Sequence, residues 1–156
     1  MHAPLASRTL GWGSCEPTAW KEAARRLRRW TPPAATTLAH RDLHPGNILW
    51  QHGGVTGVVD WPNACLAPPA VDAGTCMADL AILHGVEAAW RFHAGYEART
   101  GQGVALEWIL IGAFELTADG LAATEIVGWT GEPDLVNDVT LVARRLDAHV
   151  AATLER

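Results

Sequence analysis

Asp42, Asn47 five positions later and Asp60 thirteen beyond that carry the side chains best suited to chemistry in this chain of 156 residues. They sit within HRDLHPGNILWQHGGVTGVVD, residues 40–60. A carboxylate can take the proton of a hydroxyl, and an amide oxygen with a second carboxylate can share one hard cation. Whether they meet depends on the elements between them. Arg41 to Asn47 reads as a polar loop, Ile48-Leu49-Trp50 as a short strand, Gly53-Gly54 as a turn and Val55 to Val59 as a second strand. Gly-Gly between two β-rich runs signals a hairpin, because a type I′ turn needs positive φ at both central positions. With Gly53 and Gly54 central, His52 faces Val55 and paired residue numbers sum to 107, as Asn47 and Asp60 also do. That register sets Asn47 opposite Asp60 at the open end, with Cβ atoms roughly 4.5–5.5 Å apart. Asp42 lies on the loop beside them. Such geometry suits chemistry on a phosphate held by magnesium.

His40-Arg41-Asp42-Leu43 with Asn47 matches the kinase catalytic-loop signature H-R-D-L-x-x-x-N. Two departures point away from protein kinases. The loop interior is His44-Pro45-Gly46, and Asp60 is followed by Trp61-Pro62 where D-F-G is expected. The next helical pattern begins near Val71, which leaves no room for an activation loop. The run of catalytic loop, hairpin and Val58-Val59-Asp60-Trp61 resembles the aminoglycoside phosphotransferase group, relatives of the choline kinases that phosphorylate small molecules. The resemblance is specific over residues 38–80. It implies that Asp42 is the catalytic base, that Asn47 and Asp60 hold Mg2+, and that ATP (or GTP) is the phosphate donor. It also implies that His40 and Asp72 support the catalytic loop by hydrogen bonds and that Leu49 and Val59 form an apolar floor for the nucleotide base.

The remaining elements follow from periodicity. Pro17 suits the first turn of a helix whose stripe is Trp20, Ala23 or Ala24, Leu27 and Trp30, stopped by Pro32-Pro33. The Arg25–Arg29 cluster reads as a solvated face. Thr36 to Ala39 is β-prone, and Trp61 to Ala70, with three prolines, reads as a loop. Helices are expected from Val71, over residues 86–99, over Ala105 to Ala118, and along the stripe Leu135, Val139, Val142, Leu146, Val150 and Leu154. Asp72 either caps the first of these or bonds back to the loop. Asp79 reads as a polar-face residue, and His44 carries no assigned chemistry, with a loop-shaping or a substrate-edge role open. Gly11-Trp12-Gly13-Ser14 and Gly128 to Pro133 read as turn and loop.

Hydrophobic residues at 49% and charged residues at 19% describe a globular chain, and a net charge of −5 gives no broad nucleic-acid surface. Three cysteines without a CxxC pair suit reduced thiols and a cytoplasmic setting. The most apolar stretch, Trp108 to Phe114, is too short to span a membrane. After Ala70, thirteen acids oppose five arginines, a field that attracts a cationic small-molecule substrate. Phosphoryl transfer also needs a glycine-rich loop and a strand lysine gripping the phosphates. The one lysine here is Lys21, and no such loop precedes it. The expected fold is therefore α+β, mainly helical: a kinase-like C-terminal lobe with a short catalytic-loop hairpin and no N-terminal lobe. It is read as one domain over residues 1–156. Residues 1–16 form an irregular segment, 38–80 the catalytic and metal-binding core, and 81–156 a helical substrate-side part. Two functions stay open. One is magnesium-dependent phosphorylation of a hydroxyl on a small amine-bearing molecule, with antibiotic inactivation as one outcome. The other is a shortened, catalytically silent lobe acting as a binding module.

Overall fold

The molecule is built around α2 (Ala70–His84), a helix apolar on nearly every side and buried from Val71 to Ile82 except at Asp72 and Leu80. The computed structural model describes residues 16–117 and 138–156. The readings made for residues 1–15, for Gly128 to Pro133 and for Leu135 lie outside them. Five α-helices and two two-stranded antiparallel sheets make up the described residues, which are mainly helical. Besides α2, the helices are α1 (Pro17–Arg29), α3 (Val86–Thr100), α4 (Leu106–Thr117) and α5 (Val139–Leu154). The strands are β1 (Thr37–Ala39), β2 (Ile48–Gln51), β3 (Gly54–Val58) and β4 (Cys65–Ala67). No described helix is long and apolar enough to cross a membrane.

α2 packs on α3, α4 and α5 and divides the core in two. On one side Trp20, Ile82, Leu110, Phe114, Leu146 and Val150 interlock. On the other, Val71, Met77, Trp108 and Ile109 meet Ala39 and Ala67, which pin the β1–β4 sheet to the helices. α2 and α4 cross so closely that Gly74 and Gly112 touch backbone to backbone. A Cβ on Gly74 would lie 2.2 Å from the Trp108 carbonyl oxygen, and one on Gly112 2.3 Å from that of Gly74. Helix ends are closed by local chemistry. Gly85 (φ 87°) separates α2 from α3, and Gly101 (φ 73°) ends α3 in the left-handed conformation. Asp138 accepts from Leu141 N at 2.8 Å to start α5. Arg145 on α5 donates to the last-turn carbonyls of Ile82 and Leu83, each at 2.7 Å. α1 is tied in by Trp20, whose Nε1–H donates to Asp147 of α5 at 2.7 Å and whose ring meets Phe114 edge-on.

Two sequence expectations need correction here. The stretch from Trp61 to Ala70 contains a strand, since Cys65–Ala67 pairs with β1 in the register Leu38↔Leu66. Three residues carry no readable period, and only the partner, far off in sequence, makes them a strand. The hairpin turn is His52-Gly53, with φ of 51° and 79°, flanked by Gln51↔Gly54. The turn type keeps its two positive-φ positions, moved one residue earlier, with histidine taking the first.

His149 on α5 is fully buried, and neither ring nitrogen has a hydrogen-bond partner. Burial lowers its pKa to about 4, so the folded protein holds it neutral. Its stability contribution is whole above the unfolded value near 6.5 and is lost as pH falls toward 4. Urea melts of the wild type and His149→Leu at pH 7 and pH 4.5 check this. The wild type is expected to lose about 2–3 kcal/mol more than the variant over that span. Equal losses would refute the assignment.

Candidate active site

The loop from His40 to Asn47 has few side chains of its own to hold it, so α2 and the hairpin do so. β1 delivers His40, which is 2% exposed. Its Nε2–H donates to the Val59 carbonyl at 2.8 Å, and its ring lies 4.5 Å from that of Trp61. Arg41 follows in the left-handed region, φ 68°, an unfavourable place for a side-chain-bearing residue. What holds it there is Asp72 in the first turn of α2: Oδ2 accepts from His40 N at 2.7 Å and Oδ1 from Arg41 N at 2.8 Å. The carboxylate thus bonds back to the loop and makes no cap hydrogen bond to its own helix. The Arg41 guanidinium donates to Glu115 Oε1 at 2.6 Å, and Thr75 Oγ1 donates to Glu115 Oε2 at 3.3 Å. Loop, α2 and α4 are thereby joined through one carboxylate.

After Arg41 the chain turns Asp42 into a half-buried position, and a 3-10 turn (Pro45–Asn47) returns it to β2. His44 starts this turn by accepting from Gly46 N through Nδ1 at 3.1 Å, a loop-shaping role. Asn47, 7% exposed, donates from Nδ2 to the Asp42 carbonyl at 2.9 Å. That bond fixes the amide orientation and leaves Oδ1 available. Its own carbonyl accepts from Val59 N at 3.0 Å, which overturns the expected register. Ile48↔Val58 and Leu49↔Gly57 sum to 106, and an irregularity after Leu49 shifts Trp50↔Val55 to 105. Asn47 therefore neighbours Val59 in the ladder, and Asp60 lies one residue beyond with φ 64°. A left-handed residue leaves the strand's alternation, so ladder parity does not set where Asp60 points.

The loop's electrostatics tie these groups together. His44 is buried, which lowers its pKa. The charges of Asp42 and Asp60 pull the other way and His40 adds to the lowering. Asp42 and Asp60 are both within charge range of one imidazole. Asn47 and Asp60 offer hard oxygen donors of the kind magnesium takes, and among the described residues no hydrogen bond engages the Asp60 carboxylate. No cluster of three or more His, Cys, Asp or Glu that could hold a metal occurs among the described residues. A cation here would rest on the amide–carboxylate pair and on ligands brought with it. Leu49 and Val59 are exposed, as are Trp50, Val55 and Trp61. Lys21 is exposed on α1.

Two residues that sequence reading passed over join the site. Glu115 lies in a strongly apolar helix and gave no positional signal. Asp79 is 6% exposed, not a polar-face residue. It lies seven positions after Asp72, two helical turns, and so on the face of α2 that meets the loop. Burial first, and then the Asp42 charge, pushes its carboxyl up to about 8. The neighbouring Cys76 thiol is pushed up to about 12 by burial and by Asp79 and Asp72, which makes it inert at neutral pH.

Residues 4–108 match the model of a family described as "Phosphotransferase enzyme family". The match takes in the loop from His40 to Asn47, the hairpin and α1 to α3, whereas Glu115 and α5 lie beyond it. The uncharacterized protein YcbJ of Bacillus subtilis (strain 168) is 51% identical over 41 residues, which are 26% of this chain and 13% of that protein's length. No solved structure matches the chain significantly.

Proposed function

The chain belongs to the phosphotransferase enzyme family, and we propose that it transfers the terminal phosphoryl group of ATP or GTP to a hydroxyl of a small, amine-bearing molecule. The observation that carries this reading is the Asp72 clamp, which holds Arg41 left-handed and so presents Asp42 beside Asn47. In this reading the fold is a kinase-like C-terminal lobe, with Leu49 and Val59 beneath the nucleotide base. Asp42 takes the proton of the acceptor hydroxyl. That oxygen bonds to the terminal phosphorus while the bond from phosphorus to the bridging oxygen breaks. Asn47 and Asp60 are the residues that would hold magnesium, which when bound supplies positive charge against the phosphate oxygens. Support for an amine-bearing acceptor comes from the excess of acids after Ala70, although Lys21 and the arginines of α1 offset part of that field.

Labelled ATP incubated with a panel of amino alcohols, polyols and hydroxy acids tests the reading. Wild-type protein is expected to label an amino alcohol in a magnesium-dependent way, and Asp42→Asn to lower the rate by about 10²–10⁴-fold. Equal rates in the two proteins would overturn the role of Asp42, and a preference for hydroxy acids would overturn the amine. A second reading, a silent binding module, is favoured by the exposed position of Lys21 on the polar face of α1. Ligand binding without any labelling would establish it.

A further inference from the structure

Arg41 stands where glycine would be the easier residue. Its φ of 68° strains any residue with a Cβ, whereas glycine takes that value freely. Glycine would also keep both clamp bonds, because Asp72 accepts from the backbone N–H groups of residues 40 and 41. What the arginine adds is its side chain. Among the described residues the guanidinium has one partner, Glu115 Oε1 at 2.6 Å, and both side chains are part-buried. Such a charge-assisted bond is stronger than an ion pair on the open surface. Glu115 is itself held. Its Oε2 accepts from Thr75 Oγ1 at 3.3 Å, and it follows Gly112 by about one helical turn, at the crossing of α2 and α4. Gly112 meets the backbone of Gly74 and Thr75 there, and Asp72 lies just before Gly74 on α2. The two carboxylates that hold the loop thus flank one backbone-to-backbone contact, which fixes each relative to the other.

We propose that Glu115 is a positioning residue for phosphoryl transfer, acting through Arg41 to set the direction in which the chain enters Asp42. The inference rests on the phosphotransfer reading and deepens it. Asp72 alone fixes two successive N–H groups and leaves the loop a pivot about them. A second anchor on a different helix, at the far end of the Arg41 side chain, removes that pivot. A general base must stay within hydrogen-bond reach of the acceptor hydroxyl, so a small swing at Arg41 displaces the base that follows it. The Glu115 carboxylate bonds to Arg41 and Thr75, not to the groups that would meet substrate or magnesium. Its loss should accordingly slow the chemical step and leave binding alone. Glu115 lies beyond residues 4–108, so the segment that matches the family model does not hold its own loop unaided.

Arg41→Gly, Glu115→Gln and the double variant test this, with magnesium, labelled ATP and the panel compound that the wild type labels fastest. Arg41→Gly keeps the Asp72 clamp and loses the strain, so a cooperative melt near that of the wild type shows the fold intact. Each single variant is expected to lower kcat about 10–100-fold, while KM for ATP and for the acceptor stays within about two-fold. The double variant should lose no more than the worse single one, because both changes cut the same tie. Losses that multiply, a raised KM at unchanged kcat, or wild-type kcat in Glu115→Gln would each overturn the proposal. If the wild type labels nothing, the phosphotransfer reading falls, and motion of the loop decides the role of Glu115 apart from it. 15N relaxation dispersion of the amides of residues 40–44 should then be flat in the wild type and show microsecond-to-millisecond exchange in Glu115→Gln. Profiles alike in the two proteins refute it.

Discussion

Gly112→Ala is expected to abolish the native packing of α2 on α4. The added methyl carbon would stand 2.3 Å from the Gly74 carbonyl oxygen and 2.8 Å from Thr75 N. Both obstacles are backbone inside a helix, so no side chain can swing away. The helices must separate along the seam that carries Ala78, Leu110 and Ala113 on one side and Met77 and Ile109 on the other. Overpacking a well-filled core costs about 1–3 kcal/mol where side chains can adjust. With backbone on both sides, the upper end is the floor. A loss of at least about 3 kcal/mol lowers Tm by about 6–12 °C in a chain of this size. Gly74→Ala should behave alike, because its Cβ meets the same crossing from the other side. Gly95, within α3, is the control. A Cβ there meets nothing within 4 Å, so Gly95→Ala should stabilise by about 0.5–1 kcal/mol. Thermal melts of the three variants check the set, and a Gly112→Ala protein melting with the wild type would disprove the crossing.

Asp72→Ala is expected to cost about 3 kcal/mol and all measurable phosphoryl transfer. Two hydrogen bonds to an ionised acceptor are lost, each worth about 1.5–3 kcal/mol, with the lower end apt for a part-buried carboxylate. The left-handed Arg41 then keeps its strain without the bond that held it. Asp42 follows directly in the chain and loses its aim. Melting and transfer assays on the same preparation check both parts. An Asp72→Ala protein with wild-type turnover would show that the clamp does not position the loop. Asp42→Asn separates the two effects, because it should lose transfer without lowering Tm.

Much of this could be read from residue types. The apolar stripes of α1 and α5, the stop at Pro32-Pro33 and the left-handed Gly101 are local signals, and local physics decided them. Motif spacing likewise kept Asn47 next to Asp42, whose carbonyl it bonds, since the loop between them is too short to leave much freedom. The hairpin register was not legible. Gly53-Gly54 offers two ways to place a turn, and His52 at φ 51° took a position that glycine could have filled. A further slip after Leu49 then undid the parity argument for Asp60. β4 is a strand only through β1, and Asp79 looked like surface because a buried acid in a helix has the same spacing as an exposed one. Its distance of seven residues from Asp72 was the available clue.

The bond from Trp20 to Asp147 spans 127 residues of chain and sets a timetable. At about 5–20 residues per second, a ribosome needs roughly 6–25 s after making Trp20 before its partner exists. For all of that interval the inner face of α1 lacks a complete α5, and for most of it α4 as well, so the indole faces solvent or a chaperone. α1, made before the other described helices, is among the last sealed. Slowing translation between Phe114 and Asp147 should therefore lengthen the period in which α1 can be captured or cleaved, while the finished protein stays the same.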